Sequence, residues 1–91
     1  MESTAKISQA KEAMKKGKSA VSTGILKWSP NHNEAVIHFE KAAKLFKEAG
    51  LRNEQYEALL KLGKSCEALN ELYTAADAYM QAANLEKDPA K

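Results

Sequence analysis

Two stretches of the sequence, 40 residues apart, carry the same arrangement of small and large apolar residues. The first reads Ala35-x3-Phe39-x2-Ala42-Ala43-x-Leu45, and the second reads Ala75-x3-Tyr79-x2-Ala82-Ala83-x-Leu85. Alanines on one face of a helix let a neighbouring helix approach closely, and an aromatic ring fills the space between turns. A repeat of this length is typical of solenoids built from helical hairpins.

Apolar residues recur with helical spacing in four segments, and no stretch alternates as a strand does. We predict helices over about residues 4–23, 33–49, 53–69 and 72–87. Several residues are suited to begin or end these helices or to form turns: Ser3 or Thr4, Gly24, Asn33, Gly50, Asn70 and Asp88-Pro89.

The third and fourth segments fit the spacing of tetratricopeptide (TPR) repeats, with Leu59-x2-Leu62-Gly63-x2-Cys66 preceding the second Ala/aromatic stretch. Gly63 would let the two helices pack closely. We therefore predict an all-α fold, a right-handed stack of antiparallel helical hairpins forming one TPR-like domain over residues 1–91. Because the last helix of such a stack lacks a following repeat, Ala76, Tyr79 and Ala83 should be partly uncovered.

The sequence offers no phosphate-binding loop, metal-spaced His/Cys cluster or nucleophile motif. Glu34 and His38, one helical turn apart, are best interpreted as a solvated helix surface, and Cys66 as a buried, inert thiol. We interpret Tyr73 and Tyr79 as core residues. We expect neither an enzyme nor a bound cofactor or metal.

The net charge of +2 is too small to indicate nucleic-acid binding, but it is unevenly distributed. Residues 1–30 contain six Lys and two Glu, whereas residues 31–91 contain eight Lys/Arg and ten Asp/Glu. Lys11, Lys15 and Lys18 form a stripe on the first helix, which is either a solvated face or a contact for an acidic protein surface or lipid headgroups. A lone cysteine and the lack of a signal-peptide or membrane-span pattern predict a cytosolic protein.

The segment GILKWSPNH, residues 24–32, is unusually apolar for a connection between helices. Its residues Ile25, Leu26, Lys27 and Trp28 could fold back over the first hairpin, or they could contact a membrane. The lysines at the same end of the chain favour the membrane, because each adds about 1 kcal/mol of attraction to an anionic surface. Pro30 stiffens the exit of the segment and favours an exposed tip.

Three stretches together resemble the soluble NSF attachment proteins (SNAPs), and their gamma branch best: GILKWSP at 24–30, NEAVIHFEKAAKLFKEAG at 33–50 and LYTAADAYMQAANLEKD at 72–88. The Leu-Lys-Trp-x-Pro core before an Ala-rich helix is the most specific part. The resemblance covers nearly the whole chain from about residue 5, but it corresponds only to the N-terminal part of a family member.

This resemblance implies an adaptor in vesicle-mediated transport and membrane fusion. SNAPs bind SNARE complexes and recruit the NSF ATPase, which disassembles them, and the loop between their first two helices dips into the membrane. The resemblance therefore implies a cytoplasmic, peripheral membrane protein in which Ile25, Leu26, Lys27 and Trp28 contact lipid. The NSF contact of the family lies in a C-terminal region without a counterpart here. The alternative is a generic TPR-like module that binds a peptide or a helical partner.

Overall fold

A computed structural model describes residues 2–22 and 31–87, and the described part of the chain is all helical. Its four helices are α1 (Glu2–Val21), α2 (His32–Ala49), α3 (Arg52–Ala68) and α4 (Leu72–Lys87). Each helix packs against the next one in chain order, and the Cα atoms extend over 43 × 30 × 15 Å. The predicted all-α class is confirmed, and the predicted helix ranges agree to within two residues.

Local side-chain chemistry explains where α2 begins. The side-chain oxygen of Asn31 accepts a hydrogen bond from the Glu34 backbone N–H at 3.1 Å, and its amide nitrogen donates to the Glu34 carboxylate at 3.2 Å. Asn31 is therefore the N-cap, and the prediction of Asn33 was wrong because Asn33 lies within the first turn. The suggestion that Ser3 or Thr4 begins α1 was also wrong, because both lie within the helix.

Two residues with left-handed backbone separate the later helices. Gly50 has φ 80°, and its N–H donates to the Lys47 carbonyl at the end of α2. Asn70 has φ 62° between α3 and α4, a conformation that Asn tolerates better than most residues. Both were predicted as ends or turns. Gly24 and Asp88-Pro89 lie outside the described residues.

The core is built mainly from alanines. Apart from Phe39 and Phe46 on α2 and Leu59 and Leu62 on α3, its buried apolar side chains are small or flexible: Ala10, Ala13, Met14, Ala20, Ala35, Ala42, Ala43, Ala58, Cys66, Ala75, Ala78 and Ala82. Small side chains allow close approach of helix axes. The Ala/aromatic pattern therefore determines the packing distance as well as the buried face.

A contact between an aromatic ring and a glycine occurs once in each helical hairpin. On α1, a Cβ added to Gly17 would lie 2.5 Å from the Phe39 ring, and on α3 a Cβ added to Gly63 would lie 2.6 Å from the Tyr79 ring. Neither helix could carry a side chain there without displacing the ring. This confirms the expected role of Gly63 and gives Gly17 the same role in the first hairpin.

Polar groups within the core have partners. Ser65 is buried on α3, and its hydroxyl lies 3.3 Å from Nδ1 of His32 at the start of α2. Arg52 donates to the Leu85 carbonyl at 2.9 Å, which connects the start of α3 to the last turn of α4. Within residues 2–22 and 31–87, no buried side-chain nitrogen or oxygen lacks a hydrogen bond.

Candidate functional site

The predicted membrane-contact residues Ile25, Leu26, Lys27 and Trp28 lie outside the described residues. The two ends of the segment that contains them are described. The Asn31 backbone N–H donates to the Ala20 carbonyl at 2.7 Å, so the chain leaves α1 and enters α2 at almost the same point. The two described ends of the segment therefore lie together at one end of the α1–α2 hairpin.

The predicted stripe of Lys11, Lys15 and Lys18 is exposed along α1. It forms one wall of a shallow groove of about 340 Å³, which we call the α1–α3 groove. Phe46 and Met14 contribute apolar surface to this groove, and Glu54 and Glu57 of α3 form the opposite wall. The stripe therefore faces two carboxylates, and the groove has mixed charge.

One lysine of the stripe is partly neutralised within the chain. Nζ of Lys18 lies 3.6 Å from the Glu57 carboxylate, and both side chains are about half exposed, at 53% and 52%. An exposed pair of this kind contributes little stability. Lys11 and Lys15 have no ion-pair partner within the described part of the chain. They carry the positive charge that this groove offers to a ligand.

A second groove, which sequence reasoning missed, lies between α2 and α4. This α2–α4 groove has a volume of about 570 Å³ and an apolar floor that includes Leu59 and Leu62 of α3. Lys41, Lys44 and Lys47 project along its α2 wall. Their spacing of three residues was visible in the sequence. The opposite wall could not be seen there, because it comes from a helix that begins 40 residues further along.

Helix α4 presents a row of exposed apolar side chains on the side away from its buried face. Leu72 and Met80 are each 61% exposed and Tyr73 is 94% exposed. The interpretation of Tyr73 as a core residue was therefore wrong. The expectation for Ala76, Tyr79 and Ala83 is confirmed, because both alanines are exposed and Tyr79 is half-buried.

The described residues offer a His–Glu pair and one cysteine as groups that could support catalysis. His38 Nε2 lies 3.5 Å from the Glu34 carboxylate, but residues 2–22 and 31–87 contain no group of three His, Cys, Asp or Glu side chains placed to hold a metal. Cys66 is fully buried, and burial, with Glu71 and Glu40 nearby, raises the pKa of its thiol. A thiol in this setting is a poor nucleophile.

None of the four helices combines the length and the apolar character that a bilayer span requires. The sequence also matches no known protein-family model. The resemblance to the SNAPs therefore remains a prediction that depends on the quoted motifs.

Proposed function

We propose that this chain is a SNAP-like adaptor of membrane fusion, in which TPR-like hairpins hold a lipid-binding tip beside a surface for SNARE proteins. Ile25, Leu26, Lys27 and Trp28 form the tip, and Lys11, Lys15 and Lys18 contact acidic SNARE side chains or lipid headgroups. The activity is binding rather than catalysis, without a cofactor. The proposal places the protein in the cytoplasm and at membrane surfaces, and it assigns no NSF contact to these residues.

The repeated ring-on-glycine contact is the observation that carries the architectural part of this proposal. Phe39 on Gly17 and Tyr79 on Gly63 are equivalent contacts in two successive hairpins, and the aromatic residues are 40 residues apart. Successive hairpins of one design, packed in chain order, are the defining property of helical solenoids. The functional part of the proposal rests on the resemblance of the first hairpin and its connecting segment to the SNAPs.

The composition of the tip supports weak and reversible attachment. Burying Ile25, Leu26 and Trp28 in lipid would contribute about 1.5–3 kcal/mol each before ordering costs. Lysines near an anionic surface would add about 1 kcal/mol each. Together these terms suffice for a peripheral protein and fall short of permanent anchoring.

Liposome flotation tests the membrane arm of the proposal. Leu26→Ser/Trp28→Ser should abolish flotation with anionic vesicles, since it removes the apolar side chains that insert. Leu72→Ser/Tyr73→Ser is a matched control, because it removes two exposed large apolar residues from α4 instead. The control should float like the wild type. Equal flotation of the tip variant and the wild type would exclude the tip as the membrane contact.

Binding to an assembled SNARE bundle tests the protein arm. Lys11→Glu/Lys15→Glu reverses the charge of the two lysines of the stripe that have no ion-pair partner among the described residues. This variant should weaken capture of the bundle in solution without lipid. Binding of short unrelated peptides in the mixed-charge α1–α3 groove, together with no capture of SNARE bundles, would favour the generic TPR-like module. That alternative rests on the pairing of Lys18 with Glu57 across this groove.

A further inference from the structure

The α2–α4 groove has the composition of a site for a helix. Its floor is apolar and is built from the side chains of three helices: Ala43, Leu59, Leu62 and Ala78. Ile37 stands at its α2 edge and is 65% exposed, so its apolar side chain is accessible to a partner. Recognition of a helix in a groove requires an apolar floor of this kind, with polar groups along the edges.

The charges of this groove are asymmetric. Lys41, Lys44 and Lys47 lie along the α2 wall, and none of the three has an ion-pair partner within residues 2–22 and 31–87. On the α4 wall, the Asp77 carboxylate already accepts a hydrogen bond from Nε2 of Gln81 at 2.8 Å. Glu40, on the α2 wall, also lines the groove, and the hydrogen bond from the neutral Gln81 amide leaves the charge of Asp77 in place. Three lysines against two carboxylates give the groove a net charge of +1, with the positive charge concentrated along α2.

We propose that the α2–α4 groove binds an amphipathic helix of a partner protein, with its apolar face on the floor and acidic residues against Lys41, Lys44 and Lys47. Six residues of α-helix rise about 9 Å, so the lysines span about the same length as two helical turns of the partner. Acidic residues at i, i+3 and i+7 on the partner would therefore each lie beside a lysine. Ile37 would cover the edge of its apolar stripe.

This binding site is separate from the surfaces used in the proposed function. The α1–α3 groove contains Phe46 of α2, whereas the α2–α4 groove has α3 as its floor, so the two open on opposite faces of the helical layers. An adaptor with this arrangement can hold two protein partners at once. The inference does not depend on the SNAP resemblance.

The test uses a fluorescently labelled synthetic helix of about 18 residues, the length of α2, and fluorescence anisotropy with the full chain. The helix carries leucines at i, i+4, i+7 and i+11 and glutamates along the flanks of that stripe. A second peptide has glutamine in place of each glutamate. We expect the glutamate peptide to bind at least about tenfold more tightly, with a difference that shrinks as salt rises.

Two variants with the same change of charge locate the site. Lys41→Glu/Lys44→Glu should weaken binding of the glutamate peptide by about tenfold or more, and should improve binding of a peptide with lysine at those positions. Lys61→Glu/Lys64→Glu has the same spacing on α3 but borders neither groove, and it should change affinity by less than about twofold. Ile37→Ser, at an exposed position that does not threaten folding, should also weaken binding several-fold.

Three results would overturn the inference. The first is equal binding of the glutamate and glutamine peptides, and the second is an equal loss in both double-lysine variants, which would reduce the effect to net charge. The third is a concentration-dependent dimer, seen by sedimentation and lost in Lys41→Glu/Lys44→Glu, because it would make a second copy of this chain the occupant. Circular dichroism of each variant confirms that the helices are retained.

Discussion

The two hairpins of this protein use the same contact in different surroundings. Phe39 packs on Gly17 and is 1% exposed, because α2 has a helix on each side. Tyr79 packs on Gly63 but is only half-buried, and its hydroxyl donates to the Glu67 carboxylate at 2.9 Å. The hairpin therefore determines the contact, whereas the neighbouring helix determines how completely the contact is buried.

Equivalent alanines in the 40-residue repeat make the same distinction. Ala35 and Ala75 are both buried, and so are Ala42 and Ala82, because these positions face the partner helix within each hairpin. Ala43 is buried against α3, whereas its equivalent Ala83 is exposed. The repeat position occupied by Ala43 and Ala83 is therefore covered by a following hairpin on α2 and is uncovered on α4.

Truncating the two aromatic residues should show the largest difference between the hairpins. Phe39→Ala should lower the free energy of unfolding by about 3–5 kcal/mol, as is usual for a fully buried aromatic side chain. Tyr79→Ala should cost about 1–2 kcal/mol, because its ring already meets water. Urea unfolding followed by circular dichroism measures both. Equal losses would show that the surroundings do not matter.

Replacing Gly17 or Gly63 with alanine should also destabilise the first hairpin more than the second, by a smaller margin. Gly17→Ala forces a methyl group against the enclosed Phe39 ring and should destabilise by about 1–3 kcal/mol, less the roughly 1 kcal/mol gained in helix propensity. In Gly63→Ala the Tyr79 ring can move outward, so the net change should be near zero. The thermal midpoints of the two variants test this. A greater loss of stability for Gly63→Ala than for Gly17→Ala would show that enclosure of the ring does not determine the cost.

The two turns with positive φ allow a further test. Gly50→Ala should cost about 1–2 kcal/mol, because φ is 80° and no atom lies within 4 Å of the added methyl group, which leaves backbone strain as the sole cause. Asn70→Gly should change stability by less than about 0.5 kcal/mol, since Asn already tolerates its φ of 62°. Denaturant midpoints compare the two, and similar losses would rule out this explanation.

Alkaline pH should selectively weaken the second hairpin, with the smallest expected effect. Burial raises the pKa of Cys66, and burial together with the hydrogen bond to Glu67 raises the pKa of Tyr79. A raised folded-state pKa stabilises the fold fully below the unfolded values of about 8.5 and 10, and this contribution is lost as pH rises through the folded-state values.

The first hairpin has Phe39, which does not ionise, at the position where the second hairpin has Tyr79. Replacing the ionising residues of the second hairpin therefore serves as the control. Cys66→Ala/Tyr79→Phe should make the free energy of unfolding less dependent on pH above about 8.5. Urea titrations at a series of pH values measure this slope. An unchanged alkaline slope in the double variant would assign the effect to other groups.

The sequence predicted the features that depend on neighbouring residues along one helix. The four helices, the end of α2 at Gly50, the turn at Asn70 and the role of Gly63 could all be inferred from spacing and backbone preference. Asn31 could not be distinguished from Asn33 by residue type, although Glu34, three residues after Asn31, was an available sign of a capping pair.

Most features that depend on the placement of other helices could not be predicted, although the repeat pattern did indicate the close packing at Gly63 and the uncovered face of α4. Tyr73 is an aromatic residue of the kind often found in cores. It is exposed because no helix of the described chain covers that side of α4. Gln55 and Ser65 are polar yet buried, because α3 is enclosed by helices on both sides. The α2–α4 groove likewise requires knowing that two helices distant in sequence lie side by side.

The hydrogen bond from Asn31 to the Ala20 carbonyl has a consequence for how such a protein can diversify. Since this bond fixes the entrance and exit of the connecting segment, the length of that segment is separated from the packing of α1 on α2. Doubling the length of a flexible loop costs only about 0.6 kcal/mol. The segment between Ser22 and Asn31 can therefore change in length and sequence while the helices stay as they are, and under the proposed function such a change would alter what the protein attaches to.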